Sequence, residues 1–382
     1  MTDGNPFISI ILPVKNAGGT VETTLSYLSK IDYPIEKMEI VFSDGGSTDK
    51  TKDIIKQKQQ KDPYIKLVEL VNCPSPGYAR NRALEHVKGE FIFFTDGDCA
   101  PCTDWIKRML NHFYRDDLIG LVGGEIFTLM VEPDNLVELY CENFGFNRVS
   151  WRYGGIGEGC FPDLKDHLPT SIAGHRAYFF VTANMSCRRE LFTKEGLKFW
   201  DYPTGEDVEF SYQARLKGWK LYFDPKASVD HMHRSSFPAL RKVWQSYGAG
   251  QGPLLKAHAE KKLEIVFQFI KGLPQISIPF PLKGFIYLGS FHMTHISIFF
   301  SFVFFIIGMF ISGFGICEIL SIIFFLLSIY FFYPFHLHAY YMNPRKHYFT
   351  WLRYKYLTNW EFIKGGLKRF FKDKVICIEP SF

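Results

Sequence analysis

The sequence has no long basic run: its 44 lysines and arginines are scattered among 39 acids, for a formal net charge of +5. Tracking a nucleic-acid backbone needs concentrated positive charge, so nucleic acid is excluded as a partner, while weak attraction to an anionic membrane face is compatible. The eight cysteines show no paired zinc spacing. The one CxxC, Cys99 to Cys102, lacks the thioredoxin-like context of a redox pair, so the thiols are expected to be reduced and inert. No apolar leader precedes Phe7, and the first domain is expected to stay in the cytosol. A glycine-rich phosphate loop is missing after the first apolar run, where PVKNAGGT stands. That argues against a dinucleotide enzyme and a sugar-nucleotidyltransferase.

What is present is alternation. Phe7–Val14 (FISIILPV) is a short β-rich run, followed by a Gly18-Gly19 turn and a helix with Val21, Leu25 and Leu28 on one face, which Thr20 can cap. Met38–Ser43 repeats the theme and leads through DGGSTDKT into a polar helix ending near Gln60. Ile65–Leu70 alternates apolar and polar, Tyr78–Val87 reads as a helix, and Phe91–Thr95 (FIFFT) is a continuous apolar strand suited to burial on both faces. Strands alternating with helices predict an α/β domain with a mostly parallel sheet, whose ligands bind beyond the carboxyl ends of the strands. Lys15-Asn16, Asp44 and Asp96 to Asp98 all fall at such ends.

From Gly123 to about Arg234 the pattern loosens, with Gly-rich turns from Gly154, and reads as an elaboration that completes a site. Ser235–Lys283 is broken by Pro253, Pro274, Pro279 and Pro281 and reads as an interfacial connector. The 39 phenylalanines crowd the last third, which suggests a second solvent. Gly284–Asn343, roughly 60 residues, carries one formal charge, Glu318, with Gly313 and Gly315 near the middle; that suits two membrane spans and a tight turn. A buried soluble hairpin of that size would need a matching apolar partner surface. Lys271 and Lys283 precede the spans, Arg345, Lys346, Arg353 and Lys355 follow them, and the turn has no basic residue. The positive-inside rule then places both termini in the cytoplasm, as in a multi-pass protein of the cytoplasmic membrane. The tail mixes Trp351, Tyr354, Tyr356 and Trp360 with lysines, as does an amphipathic segment resting on membrane lipid. Four parts are therefore expected, over residues 1–236, 237–283, 284–343 and 344–382.

Several residues carry candidate chemistry. Asp96 and Asp98, two apart after a buried strand, can turn both carboxylates toward one divalent cation, although the same pattern also marks a solvated turn. Asp44 reads as a ligand contact, and Ser47, Thr48 and Asp49 as caps of the next helix. Arg80 is a surface helix residue or a ligand contact. Glu206 and Asp207 open a helix running toward Leu216, where carboxylates also complement the helix dipole. His231 and His233 in KASVDHMHRSS are structural or metal-binding.

In order, ISIILPVKN, VFSDGGSTDKT, GYARNRAL, FFTDGDC and GEDVEFSYQARLKGWKLYF resemble the inverting glycosyltransferases of family 2, over about Phe7–Ser236. The likeness is closest to membrane-tethered members of exopolysaccharide or lipid-linked glycan assembly. It implies a GT-A fold, Rossmann-like with a mostly parallel sheet, followed here by a C-terminal transmembrane hairpin and interfacial helices. It also implies a nucleotide-sugar donor, UDP- or GDP-linked, and a lipid-linked or glycan acceptor. Pro13, Val14 and Asn16 would line the nucleotide pocket, Asp44 would accept a hydrogen bond from the base, and Arg80 would lie near the pyrophosphate. Asp96 would contact ribose or the metal shell, Asp98 would bind Mn2+ or Mg2+, and His231, with His233 as its rival, would be a further ligand. Asp207, paired with Glu206, would be the catalytic base. Processive synthases of this superfamily carry QxxRW where this chain has RKVWQSYGAGQG from Arg241, so one sugar per event is expected; Trp244 and Gln245 would touch the acceptor or pack on the connector. A polyprenyl-phosphate sugar synthase and a nucleotide-sugar sensor are the rival readings.

Overall fold

Successive side chains of a strand point to opposite faces, and in ISIILPV both faces are apolar. A strand of this kind is stable only with helices on each side of the sheet. A computed structural model of the chain describes residues 4–162, 178–267, 276–310 and 315–379, which divide into two compact units, Met1–Ser235 and Ser236–Phe382.

In the first unit the described strands are β1 (Ile8–Val14), β2 (Met38–Asp44), β3 (Ile65–Glu69), β4 (Phe91–Phe94), β5 (Cys99–Pro101), β6 (Ile119–Thr128), β7 (Gly159–Cys160), β8 (Met185–Arg188) and β9 (Lys220–His231). The helices are α1 (Val21–Leu28), α2 (Thr51–Lys61), α3 (Pro76–Leu84), α4 (Trp105–Arg115), α5 (Leu136–Phe144), α6 (Val149–Arg152), α7 (Glu190–Thr193) and α8 (Glu206–Leu216). The sheet runs β3-β2-β1-β4-β8-β6-β9-β5, with β7 also on β9. Its first four strands are parallel; β8 enters antiparallel between β4 and β6, and β6 and β9 are again parallel.

Alternation along β1 builds the core. Ile8, Ile10 and Leu12 pack with Leu25, Ile55, Trp105 and Met109 on one side, whereas Ile11 joins Phe94, Ala83, Phe210 and Ala214 on the other. Register then aligns the strand tips, because Val14 pairs with Asp44 and Asp44 with Glu69. Two expectations at helix starts are corrected. Thr20 stands at the start of α1 but donates its hydroxyl to the Gly97 carbonyl at 2.7 Å rather than capping the helix with its side chain. The expected helix over Tyr78–Val87 begins earlier, at Pro76, because the Ser75 hydroxyl accepts from the Tyr78 amide and proline fits the first turn.

In the second unit, α9 (Phe237–His258) and α12 (Tyr348–Asp373) pack together beside a small sheet of β10 (Lys262–Phe267), β11 (Ile276–Pro279), β12 (Lys283–Leu288) and β13 (Val375–Ile378), ordered β11-β10-β12-β13. Between them run two apolar helices, α10 (Ser290–Phe310) and α11 (Ile316–Tyr340), each long enough to cross a bilayer. Most of their large side chains face outward, Phe310 being 85% exposed. They are tied by reciprocal bonds in which the Ser301 and Ser321 hydroxyls each donate to the other's carbonyl at 2.9 Å. Glu318, the lone charge, accepts from the Gly315 amide and closes the start of α11; Gly313 lies outside the described residues.

The α9–α12 contact explains the first glycine of YGAGQG and its counterpart on α12. A Cβ on Gly248 would lie 1.9 Å from the Phe362 carbonyl oxygen, and one on Gly365 would lie 2.1 Å from that of Gln245. Trp244 is buried with its ring edge-on to Phe362, and Gln245 donates to Glu361 at 3.0 Å, so both pack against α12. Trp351, expected at an interface, is fully buried, and Tyr354 stacks on Phe237 at 3.8 Å. Gly365→Ala should force the two backbones apart and cost about 1–3 kcal/mol, read as a lower melting temperature of the detergent-solubilised chain.

Candidate active site

The tips of β1 and β2 are laced together by side chains. The Asn16 backbone amide donates to the Ser47 hydroxyl, the Ala17 amide to Thr51, the Gly18 amide to Asp49, and the Thr48 amide returns to the Asn16 side-chain Oδ1. Ser47 and Thr48 therefore join two loops instead of capping α2, while Asp49 does both, accepting from the Thr51 amide at 3.1 Å as well. Asn16 adopts a left-handed φ of 53°, tolerable for asparagine, and stays exposed beside half-buried Pro13 and buried Val14. Asp44 is 1% exposed; its Oδ1 accepts from the Gly46 and Ser47 amides, and its buried Oδ2 has no partner among the described residues. Such an orphan acceptor is costly unless a ligand satisfies it.

Beyond β4 the chain turns at Gly97, where a Cβ would meet Val14 Cγ1 at 2.7 Å, and then pairs as β5 with the end of β9. This antiparallel pairing sets Cys99 opposite His231, and the Met232 amide donates to the Asp98 carbonyl. His231 Nε2 consequently lies 3.5 Å from Asp98 Oδ1. The ligand atoms of Asp96, Asp98, Cys99 and His231 all fall within 4.8 Å of one another, and His231 Nδ1 is buried without a partner among the described residues. Two carboxylates and an imidazole suit a divalent cation that keeps positions open for phosphate oxygens. Cys99 contributes less: burial first, then the charges of Asp98 and Asp96, hold its thiol well above the usual range. His233 is placed less favourably: its Nε2 is engaged with the Thr128 hydroxyl at 3.1 Å, and it is not among the clustered ligand atoms.

Arg80 connects this cluster to the acids at the start of α8. Its Nη2 donates to Asp96 at 3.0 Å and its Nη1 to Glu206 at 2.8 Å, with the guanidinium nearly fully buried. The structure thus places Arg80 between two carboxylates. Burial and the neighbouring Asp207 push the Glu206 carboxyl up to about 7 against the pull of Arg80, and burial likewise raises Asp207 and Asp96. Asp207 is half-buried; its Oδ1 accepts from the Val208 amide, and Arg152 opposes its upward shift. Arg152 is itself set by Glu125, whose carboxylate accepts from the Val149 and Ser150 amides at the start of α6.

Two positioning residues were not singled out from sequence, although both lie in GYARNRAL. Asn81 grips the backbone of Phe199, donating to its carbonyl at 2.7 Å and accepting from its amide at 2.9 Å. Gly77 lets α3 approach the same segment, since a Cβ there would sit 2.1 Å from the Trp200 carbonyl. The turn glycine and the asparagine one position after Arg80 were the available signals.

The family model described as glycosyl transferase family 2 matches residues 9–180, and that described as glycosyl transferase family group 2 matches residues 161–337. The chain belongs to glycosyltransferase family 2. It is 27% identical over 257 residues to a dolichyl N-acetyl-α-D-glucosaminyl phosphate 3-β-D-2,3-diacetamido-2,3-dideoxy-β-D-glucuronosyltransferase of Methanococcus voltae, covering 65% of this chain and 74% of the relative. It is 34% identical over 128 residues to the glycosyltransferase AglE of Haloferax volcanii, covering 33% of this chain and 41% of that one. A mannosyltransferase from Pyrobaculum calidifontis, solved in complex with GDP-Man and Mn2+, superposes with a TM-score of 0.53 at 16% identity over 97% of this chain and 88% of that chain. This likeness supports the GT-A fold expected from the sequence.

Two measurements probe the site. A buried carboxyl raised to about 7 favours the folded state while protonated, so its stabilisation is full below the unfolded value near 4.5 and is lost as pH rises through about 7. With chelator present, the melting temperature of the wild type should therefore fall relative to Glu206→Gln between about pH 5 and about pH 8. In calorimetric titration of Mn2+ in the presence of nucleoside diphosphate, His231→Ala should weaken binding by about 10–100-fold, whereas His233→Ala should leave it within a few-fold.

Proposed function

We propose that the chain transfers a hexosyl group from a UDP- or GDP-sugar, with inversion and metal dependence, to a hydroxyl of a lipid-linked or membrane-proximal glycan. The observation that carries this reading is the Arg80 bridge, which sets Glu206 and the neighbouring Asp207 beside the cation-binding set of Asp96, Asp98 and His231. Asp207 takes the proton of the acceptor hydroxyl as that oxygen bonds to the anomeric carbon and the bond from that carbon to the diphosphate oxygen breaks. Attack from the face opposite the leaving group makes this a single displacement. A divalent cation held by Asp98 and His231, with Asp96 adjacent, would neutralise charge on the departing diphosphate. An imidazole in the set favours manganese over magnesium. The pairing of Mn2+ with GDP-Man in the Pyrobaculum neighbour is of the same kind. The orphan Asp44 Oδ2 is the acceptor offered to a donor base N–H, with Pro13, Val14 and Asn16 around it.

The name of the Methanococcus relative, which describes transfer to a dolichyl-linked glucosaminyl phosphate, supports the acceptor class. A polyprenyl phosphate acceptor is already ionised and needs no base, so the intact Glu206-Asp207 pair favours a hydroxyl. Apolar helices α10 and α11 with basic residues at their outer ends support a cytoplasmic catalytic unit on a multi-pass anchor.

Asp207→Asn should lower transfer by about 10²–10⁴-fold with donor affinity unchanged. Transfer at the wild-type rate would refute the base assignment, and a product retaining the donor's anomeric configuration would refute the single displacement.

A further inference from the structure

Of the seven tryptophans, only Trp151 in α6 is exposed, with 53% of its surface open. A lone apolar side chain at a surface is ordinary. Trp151 differs in being held from behind. The Arg148 guanidinium lies 4.8 Å from the Trp151 ring and 4.8 Å from that of Phe127, and it donates to Glu142 at 3.0 Å. Gly145, at a left-handed φ of 65°, lets the backbone pass close to the indole, for a Cβ there would lie 2.1 Å from Cε3. The helix itself is pinned at its start by Glu125. Just past its end the Tyr153 hydroxyl accepts from the Phe179 amide at 3.0 Å and donates to the Phe179 carbonyl at 3.1 Å. Both halves of the site adjoin α6. Phe127, on which Arg148 stacks, immediately precedes Thr128, the residue that pairs with His231. Arg152 and Tyr153, the two residues after Trp151, come within electrostatic reach of Asp207.

We propose that the open face of Trp151 is the platform on which a hexopyranose ring of the acceptor stacks. This deepens, and rests on, the reading of Asp207 as the base that takes the acceptor's proton. With one hydroxyl at Asp207, the body of the acceptor ring has to lie against a neighbouring element, and α6 is such an element. A pyranose offers C–H bonds on its ring faces and hydroxyls around its rim. An indole supplies a flat surface for the first, and with only two side-chain torsions, already fixed by Arg148 and Gly145, little freedom is lost when the sugar arrives. The surroundings select a sugar over an acyl chain. Trp151 is flanked by Arg148, Ser150 and Arg152, polar groups that suit a hydroxylated rim, whereas hydrocarbon would call for a continuous apolar patch.

The full chain, solubilised in a detergent without a sugar headgroup, is titrated with a panel of methyl hexopyranosides, neutral and uronic, in the presence of Mg2+, UDP and GDP. Binding is read as nuclear magnetic saturation passed from protein to sugar C–H protons. At least one glycoside should receive saturation mainly on the C–H protons of one ring face. Trp151→Ala should weaken its apparent affinity by about tenfold, and Trp151→Phe should keep it within a few-fold. Nucleotide affinity and melting temperature should be unchanged in both variants. A wild type that passes saturation to no glycoside, or a signal that survives Trp151→Ala, overturns the platform. Sugar release from UDP- and GDP-sugars by the wild type, measured apart, reports the transferase reading: release without glycoside binding strikes the platform alone, and glycoside binding without release strikes that reading alone.

Discussion

One guanidinium holds the catalytic unit together. Arg80 reaches Asp96 at the tip of a central strand and Glu206 at the start of a helix 110 positions later, from inside the protein. Removing one partner from a buried ion network leaves uncompensated charge at a cost of ~3–5 kcal/mol, so the three groups stand or fall together. The supporting contacts follow from that need. Gly77 allows α3 to come close, Asn81 grips Phe199, and Ser75 fixes the first turn that aims Arg80 inward. Relative to a solvated arginine the group gives up conformational freedom, and what it provides is a rigid relation between the carboxylate at the strand tip and the acid pair at the start of α8.

Much of the first unit was legible because its strands are apolar on both faces and its functional acids stand at their ends. FIFFT could only be a central strand, and the acids after it could only lie at the ligand-binding edge. The partners of Arg80 were not legible, since nothing local in GYARNRAL names a carboxylate far along the chain. Nor did spacing separate His231 from His233; what separates them is that His231 comes up to Asp98 whereas His233 is bound to Thr128, both products of tertiary packing. The second unit was harder still. Segments read as connector, as the start of the spans and as tail pair in one sheet, with Glu264 beside Phe285 and Phe285 beside Cys377, and parallel pairing at such separations leaves no local trace. The glycines from Gly248 to Gly252 were visible, but their use as a close helix crossing was not.

The apolar pair α10 and α11 carries the kinds of contact that hold helices together where burial of hydrocarbon gives no net advantage. Their contact rests on two serines exchanging bonds, stacked Phe304 and Phe324 rings, and the close approach of Gly308 to Glu318. Small residues and side-chain hydrogen bonds are the means available in lipid, where the surrounding chains are as apolar as the helices themselves.

The antiparallel pairing of β5 with β9 has a consequence in time as well as in space. Asp96 and Asp98 leave the ribosome on the order of 130 residues ahead of His231, and the imidazole joins them only after β6, β8 and β9 have taken their places in the sheet. A nascent chain therefore lacks the assembled cluster, and any ion held there would be held by a finished domain.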